Sequence, residues 1–206
     1  MMSRRAIDSA NASRNMANLR SLATQMQSFA ADHGYFPPGF DKNFPATSGF
    51  ATNRWPEILM EDSGAKPPRE EYLSPTKRSV FQPELTWQPL NYAANVAVCY
   101  RTGGRRVRPA NIRRAGEVVL LGDVTTKAGA EFTPHKNGHA NFTPTSATLA
   151  ADTPAAGRQT ATFHTGAEAG QPEYRNRGKA HMVFVDGHIQ AFKKGELKAK
   201  HFSINY

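Results

Sequence analysis

SRRAIDSANASRNMANLRSLATQMQSFAADH, residues 3–33, decides how the rest of the chain is arranged. Apolar residues fall at Ala12, Met16, Leu19, Ala23, Met26 and Ala30, alternating steps of four and three. Leu22 and Phe29 widen the stripe, and no Gly or Pro interrupts it. That period predicts an amphipathic helix with one seam for packing and assembly. Gly34 then supplies a C-cap, and Pro37 and Pro38 forbid continuation. Such a helix is roughly 45 Å long at about 1.5 Å per residue. That is long for one domain, so one end is expected to project. Residues 3–15 hold Ile7 as their one large apolar side chain, which makes residues 3–11 the end with least to bury.

Beyond residue 33 the reading changes. Residues 34–90 are rich in Pro, Gly and aromatics (Tyr35, Phe36, Phe40, Phe44, Phe50, Trp55), which reads as a long connection held by aromatic anchors. Trp55 to Met60 reads as a short helix with Pro56 at its first position. Strand-like segments follow at 91–100, 117–123, 160–164, 180–185 and 188–192, with a loop over 125–158. Asp186-Gly187 between two apolar runs predicts a two-residue type I′ hairpin. That turn would pair Val185 with His188, Phe184 with Ile189 and Met182 with Ala191. Met182, Phe184, Ile189 and Ala191 would then share an apolar face for the helix. His181, Val183, Val185, His188 and Gln190 would make a mixed outer face. The expected fold is α+β: a helix over residues 1–33 packed on a small antiparallel sheet, within a globular head over 34–206 that carries long irregular loops.

Composition bounds the function. The chain has 206 residues, a net charge of +9, 39% hydrophobic residues and one cysteine. One cysteine excludes an internal disulfide and a thiolate metal site, and Cys99 in an apolar run reads as a buried small hydrophobe. Residues 101–114 carry Arg101, Arg105, Arg106, Arg108, Arg113 and Arg114 with no acid, and the C-terminus is also basic. This leaves an alternative reading as a soluble nucleic-acid-binding module. No aromatic residue alternates with these arginines, so a solvated basic loop is the plainer reading and a nucleic-acid partner is not expected. No stretch approaches the 18 or so apolar residues of a membrane helix.

Three segments, taken together, resemble type IV pilin-like proteins, specifically the major pseudopilins of type II secretion. The first runs from Asn15 to Gly39 and includes Asn18-Leu19-Arg20, Ala31-Asp32-His33-Gly34 and Phe36-Pro37-Pro38. The second is Glu117 to Asp123, similar to the family's central strand ending in Asp. The third contains Phe184-Val185-Asp186-Gly187-His188, similar to a signature of His followed by Asp-Gly-His. Where the family has that first His, ten positions before Asp186, this chain has Asn176. Asn donates and accepts hydrogen bonds but does not titrate.

The resemblance implies a pilin-like fold and a non-enzymatic filament subunit, anchored in the inner membrane with its head in the periplasm or outside the cell. Its partners would be copies of itself, other pseudopilins and the inner-membrane components of the secretion system. The family's basic leader and about twenty apolar residues do not occur in this sequence, so an apolar segment encoded upstream of Met1 is expected. A chain truly without leader would instead be cytoplasmic. The signature residues Asn176, Asp186, Gly187 and His188 are expected to be structural.

The remaining candidates are weaker. His135 and His139 flank Gly138 after Pro134, which argues against a helical metal pair. Asp186-Gly187-His188, with His164 or His181 as base, lacks a nucleophile in an elbow-like setting, so no catalytic residue is nominated. No cofactor is expected. Calcium stays open through oxygens of Asp32, Asp41, Asp123, Glu131 or Asp186, although no dense acidic loop is present.

Overall fold

The computed structural model describes residues 3–39, 55–64, 75, 92–95, 97–100, 105–124 and 172–204. Helix α1 spans Arg4–His33 without a break. Ser3 caps its start by accepting a bond from the Ala6 N–H, and Gly34 closes it in the left-handed region at φ 76°. A short helix α2, Trp55–Asp62, packs beside it and is tied to it by His33 Nε2 and Asp62 Oδ1 at 2.7 Å. Four strands follow: β1 Tyr92–Ala94, β2 Val119–Asp123, β3 Lys179–Phe184 and β4 Ile189–Lys193. They form one antiparallel sheet in the order β1-β2-β3-β4. The molecule is therefore α+β, a long helix on a small antiparallel sheet. Among the described residues no helix is long and apolar enough to cross a membrane.

β1 is shorter than the apolar run 91–100 predicts. Asn95 turns the chain: its carbonyl takes the N–H groups of Val98 and Cys99, and its side chain takes that of Ala97. The expected strand at 160–164 and the loop at 125–158 lie outside the described residues.

The sheet is covered on both faces. α1 and α2 bury one face through Leu19, Leu22, Met26, Phe29, Trp55 and Ile58 against Ala94, Val118, Leu120, Leu121, Val183 and Val185. On the other face Ala93, Val119, Ala180, Met182, Phe184 and Phe192 pack with Tyr174, Leu197 and Phe202. The C-terminal segment thus acts as a third layer.

The β3–β4 hairpin corrects the expected register. Phe184 N donates to the His188 carbonyl and Gly187 N to the Phe184 carbonyl, both at 2.9 Å. The loop therefore holds three residues, Val185 to Gly187, with Gly187 left-handed at φ 91°. Val183 pairs with Ile189 and Met182 with Gln190. A one-residue slip reassigns the faces. Val183, Val185 and Ile189 meet the helix core, whereas Met182 and Phe184 turn to the C-terminal layer. Val185 enters the loop because tertiary bonds hold it there. Its N–H reaches the Val118 carbonyl, and its carbonyl accepts from Gln27 Nε2.

Candidate functional site

Two backbone irregularities aim polar side chains into the layer between α1 and the sheet. In β2, Val119 pairs with Phe184 but Leu121 pairs with Val183, so Leu120 is an extra residue. This bulge puts Leu120 and Leu121 on the helix side together. It reverses the alternation that follows, and Asp123 points toward α1 instead of away from it. Gly122 lies on the opposite side, where a Cβ would strike Met182 and the His181 carbonyl, so only glycine fits. The second irregularity is the turn Arg177-Gly178, with φ of 53° and 75°. Asn176 and Lys179 exchange backbone bonds across it at 3.0 and 3.1 Å, a two-residue turn with both central residues left-handed. It folds Asn176 back onto Asp123.

The result is a buried polar cluster drawn from five parts of the chain. Asp123 is fully buried, and its carboxylate accepts from Asn15 Nδ2 at 3.0 and 3.2 Å. It also accepts from Asn176 Nδ2 at 2.7 Å and from the His181 backbone N–H at 2.8 Å. Asn15 Nδ2 also lies 3.0 Å from His181 Nδ1, and its Oδ1 accepts from the Tyr92 hydroxyl at 2.8 Å. Arg175 Nε stands 4.0 Å from Asp123, while its Nη2 donates to the Val124 carbonyl at 2.6 Å and meets Glu173 at 3.2 Å. Glu173 is fully buried as well. A buried charge is costly unless it is compensated: the Asp123 carboxylate is met by N–H donors, and Glu173 is paired in charge with Arg175.

Burial holds the His181 imidazole below its ordinary pKa. Asp123 pulls it upward, and Arg175 and Lys179 push it down again. The ring is neutral at neutral pH, so Nδ1 accepts from Asn15 and Nε2 carries the proton. Burial raises the Cys99 thiol well above its ordinary value, and the side chain behaves as an apolar filler. Among the described residues no group of three His, Cys, Asp or Glu side chains converges as a metal site requires. The Asp123 oxygens face N–H donors, an arrangement suited to joining chain segments.

The signature residues fall at the two ends of β3. Asn176 joins the buried cluster at one end. At the other, Asp186 Oδ1 accepts from the His188 backbone N–H at 3.1 Å and pairs with His188 Nδ1 at 2.7 Å, with both side chains 43% exposed. The His188 ring stacks on Phe184 with centroids 4.3 Å apart. Asp186 also lies over Gly116, where a Cβ would come within 3.0 Å of its carboxylate. Along α1, Leu19, Ala23, Met26 and Ala30 are buried, whereas Ala12 and Met16 are half-buried. The buried residues of α1 are Asn15, Leu19, Leu22, Ala23, Met26, Phe29 and Ala30. The sequence pattern gives Asn15 and Tyr92 no role in a site and places His181 on the outer face of the hairpin, whereas it is buried in this cluster. One signal was available: Asn15 lies four residues before Leu19 and seven before Leu22, a polar residue in a buried phase.

Of the basic loop, Arg105, Arg108 and Arg113 are exposed, Arg106 lies over the Tyr35 ring at 4.4 Å, and Arg114 pairs with Glu117 at 3.3 Å. Arg101, His135, His139, Asp41 and Glu131 lie outside the described residues. Compared with protein-family models, with curated proteins and with solved structures, the chain matches none.

Proposed function

We propose that this chain is a non-enzymatic subunit of a type II secretion pseudopilus or a type IV pilus-like filament, assembling through α1. The observation that carries the reading is the helix. Its 30 residues run unbroken, yet they are buried on one stripe only from Asn15 onward. Residues 3–10 are exposed, and Ile7 is the exposed large hydrophobic side chain of the described residues at 47%. A helical end with little to bury gains little from its own head. A bundle of like helices would cover it. The ordered resemblance of the three segments points the same way. On this reading the partners are further copies, other pseudopilins and inner-membrane components of the secretion system. The head lies outside the inner membrane, and the work is mechanical, with no catalytic step and no cofactor.

The test uses the chain expressed from its own gene in its source cells. It should sediment with the envelope and shear off as filaments. Ile7→Asp should abolish the filaments while leaving the thermal unfolding of the head within about 2 °C, as expected of an exposed position. Recovery of the unchanged protein only as a monomer in the soluble fraction, or filaments unaffected by Ile7→Asp, would overturn the reading.

A further inference from the structure

α1 leaves the sheet at one place, and the polar cluster stands there. C-terminal to Asn15 the buried positions of α1 are apolar; N-terminal to it, residues 3–10 are exposed. Asn15 is the last buried residue of α1 toward its start. Beyond it, the exposed Arg177 reaches the Arg5 carbonyl at 2.5 Å, a bond in water that holds weakly. Asn15 is held by Asp123, by His181 Nδ1 and by the Tyr92 hydroxyl.

Only one protonation state of His181 fits this arrangement. Nδ1 lies 3.0 Å from the Asn15 amide nitrogen and has to accept. With a proton on Nδ1, two N–H groups would point at each other. Turning the carboxamide over would put Oδ1 toward the imidazolium but also against the Asp123 carboxylate. No orientation of Asn15 then serves Asp123, Tyr92 and a charged ring at once. The imidazolium has a stronger partner of its own, Asp123 Oδ2, 3.7 Å away. A proton on the ring therefore sets the imidazolium in competition with Asn15 for Asp123, which already accepts the His181 N–H of β3.

The charged surroundings decide when this happens. Asp123 faces the ring from β2, Arg175 from the segment before β3, and Lys179 from β3 itself, with Glu173 paired to Arg175. α1 and β1 contribute the uncharged Asn15 and Tyr92, and the neighbouring Arg14 is exposed. Burial first, then Arg175 and Lys179, oppose the charged ring against the pull of Asp123, so it stays neutral near pH 7 and charges only below its ordinary range.

We propose that Asn15, Asp123 and His181 form an acid-operated latch that ties α1 to the sheet while His181 is neutral and releases residues 4–15 when it is protonated. The latch requires no filament and acts in the isolated chain. The released ring binds its proton more tightly than the latched one, so falling pH favours release below about 6.5.

Hydrogen exchange on the full 206-residue chain, corrected for intrinsic rates, tests this at pH 7.5 and 5. Protection over residues 4–15 should fall about tenfold in acid, the scale of a lost pair of buried hydrogen bonds, with residues 19–30 unchanged. His181→Asn keeps an acceptor near the Nδ1 position and cannot titrate, so its exchange should not change with pH. Unaltered wild-type protection at pH 5, equal loss in His181→Asn, or loss spread evenly over α1 and the sheet would each overturn the latch. If His181→Asn does not fold, the wild-type His181 ring resonances decide. Their titration midpoint must coincide with that of the loosening, and a mismatch refutes the proposal.

Discussion

Asp123→Asn removes one charge and one acceptor from the centre of the cluster with almost no change of shape. In the native chain Oδ2 accepts from Asn176 Nδ2 at 2.7 Å and from the His181 N–H at 2.8 Å, while Oδ1 accepts from Asn15 Nδ2 at 3.0 Å. The amide keeps one oxygen, so its NH2 must face at least one of these donors. A lost hydrogen bond to a charged group costs about 1.5 to 3 kcal/mol, and an orphaned buried donor adds about 1 to 3. Arg175, 4.0 Å away and 6% exposed, also loses part of its counter-charge. The expected loss is about 3 to 4 kcal/mol, a large share of the roughly 5 to 15 kcal/mol of a typical domain. With a urea m-value near 2 kcal/mol/M, the midpoint should fall by about 1.5 to 2 M at unchanged m. Asp186→Asn is the control: its carboxylate is 43% exposed and pairs with an equally exposed His188, so it should move the midpoint by less than about 0.4 M. A fall below about 0.5 M for Asp123→Asn would mean that the cluster does not hold the layers together.

Gly122→Ala drives a methyl into Met182 and to 2.9 Å from the His181 carbonyl. Because the latter is backbone, a loss of about 2 to 3 kcal/mol is expected in urea unfolding. Phe202→Ala, at a fully buried position beneath the sheet, should cost about 3 to 4 kcal/mol, and a loss below 1 would show that the C-terminal layer does not pack on β3. Arg177 occupies the left-handed region at φ 53°, so Arg177→Asn should raise stability by about 0.5 kcal/mol despite the exposed bond lost to Arg5. Burial pulls His201 from 6.5 down to about 4. Its folded pKa lies below the unfolded one, so stability is complete above pH 6.5 and drains away as pH falls toward 4. The full gap would be worth about 3 kcal/mol, and solvent at the half-buried ring cuts this to about 1 to 2. His201→Gln should flatten that part of the acid stability profile, and an unchanged profile would refute the assignment.

α1 is legible because nothing competes with its period: the expected bounds 3–33 and the observed Arg4–His33 agree, and Gly34 caps it as its type demands. β2, β3 and β4 were legible in place, β1 is shorter than its apolar run, and the register of the β3–β4 hairpin was not legible. Asp186-Gly187 suits a two-residue turn and a three-residue turn equally. The choice falls to Val185, held in the loop by Val118 and Gln27, which are distant in sequence. The two-residue left-handed turn expected there occurs instead at Arg177-Gly178, where Arg177 gives no such signal. The bulge in β2 is harder still to read. It lies in Val118-Val119-Leu120-Leu121, an unbroken apolar run with no alternation to disturb.

Each of these hidden choices bears on the same place. Without the bulge, Asp123 would face the C-terminal layer; without the turn at 177–178, Asn176 would not reach it at 2.7 Å. With both in place, a carboxylate that reads as an ordinary strand end becomes the junction of helix, sheet and the segment before β3. Asn15 then stops being a flaw in an apolar stripe and becomes its fastening. The cluster escapes a linear reading because its members are chosen by irregularities of backbone, and a period in the sequence reports only regular backbone.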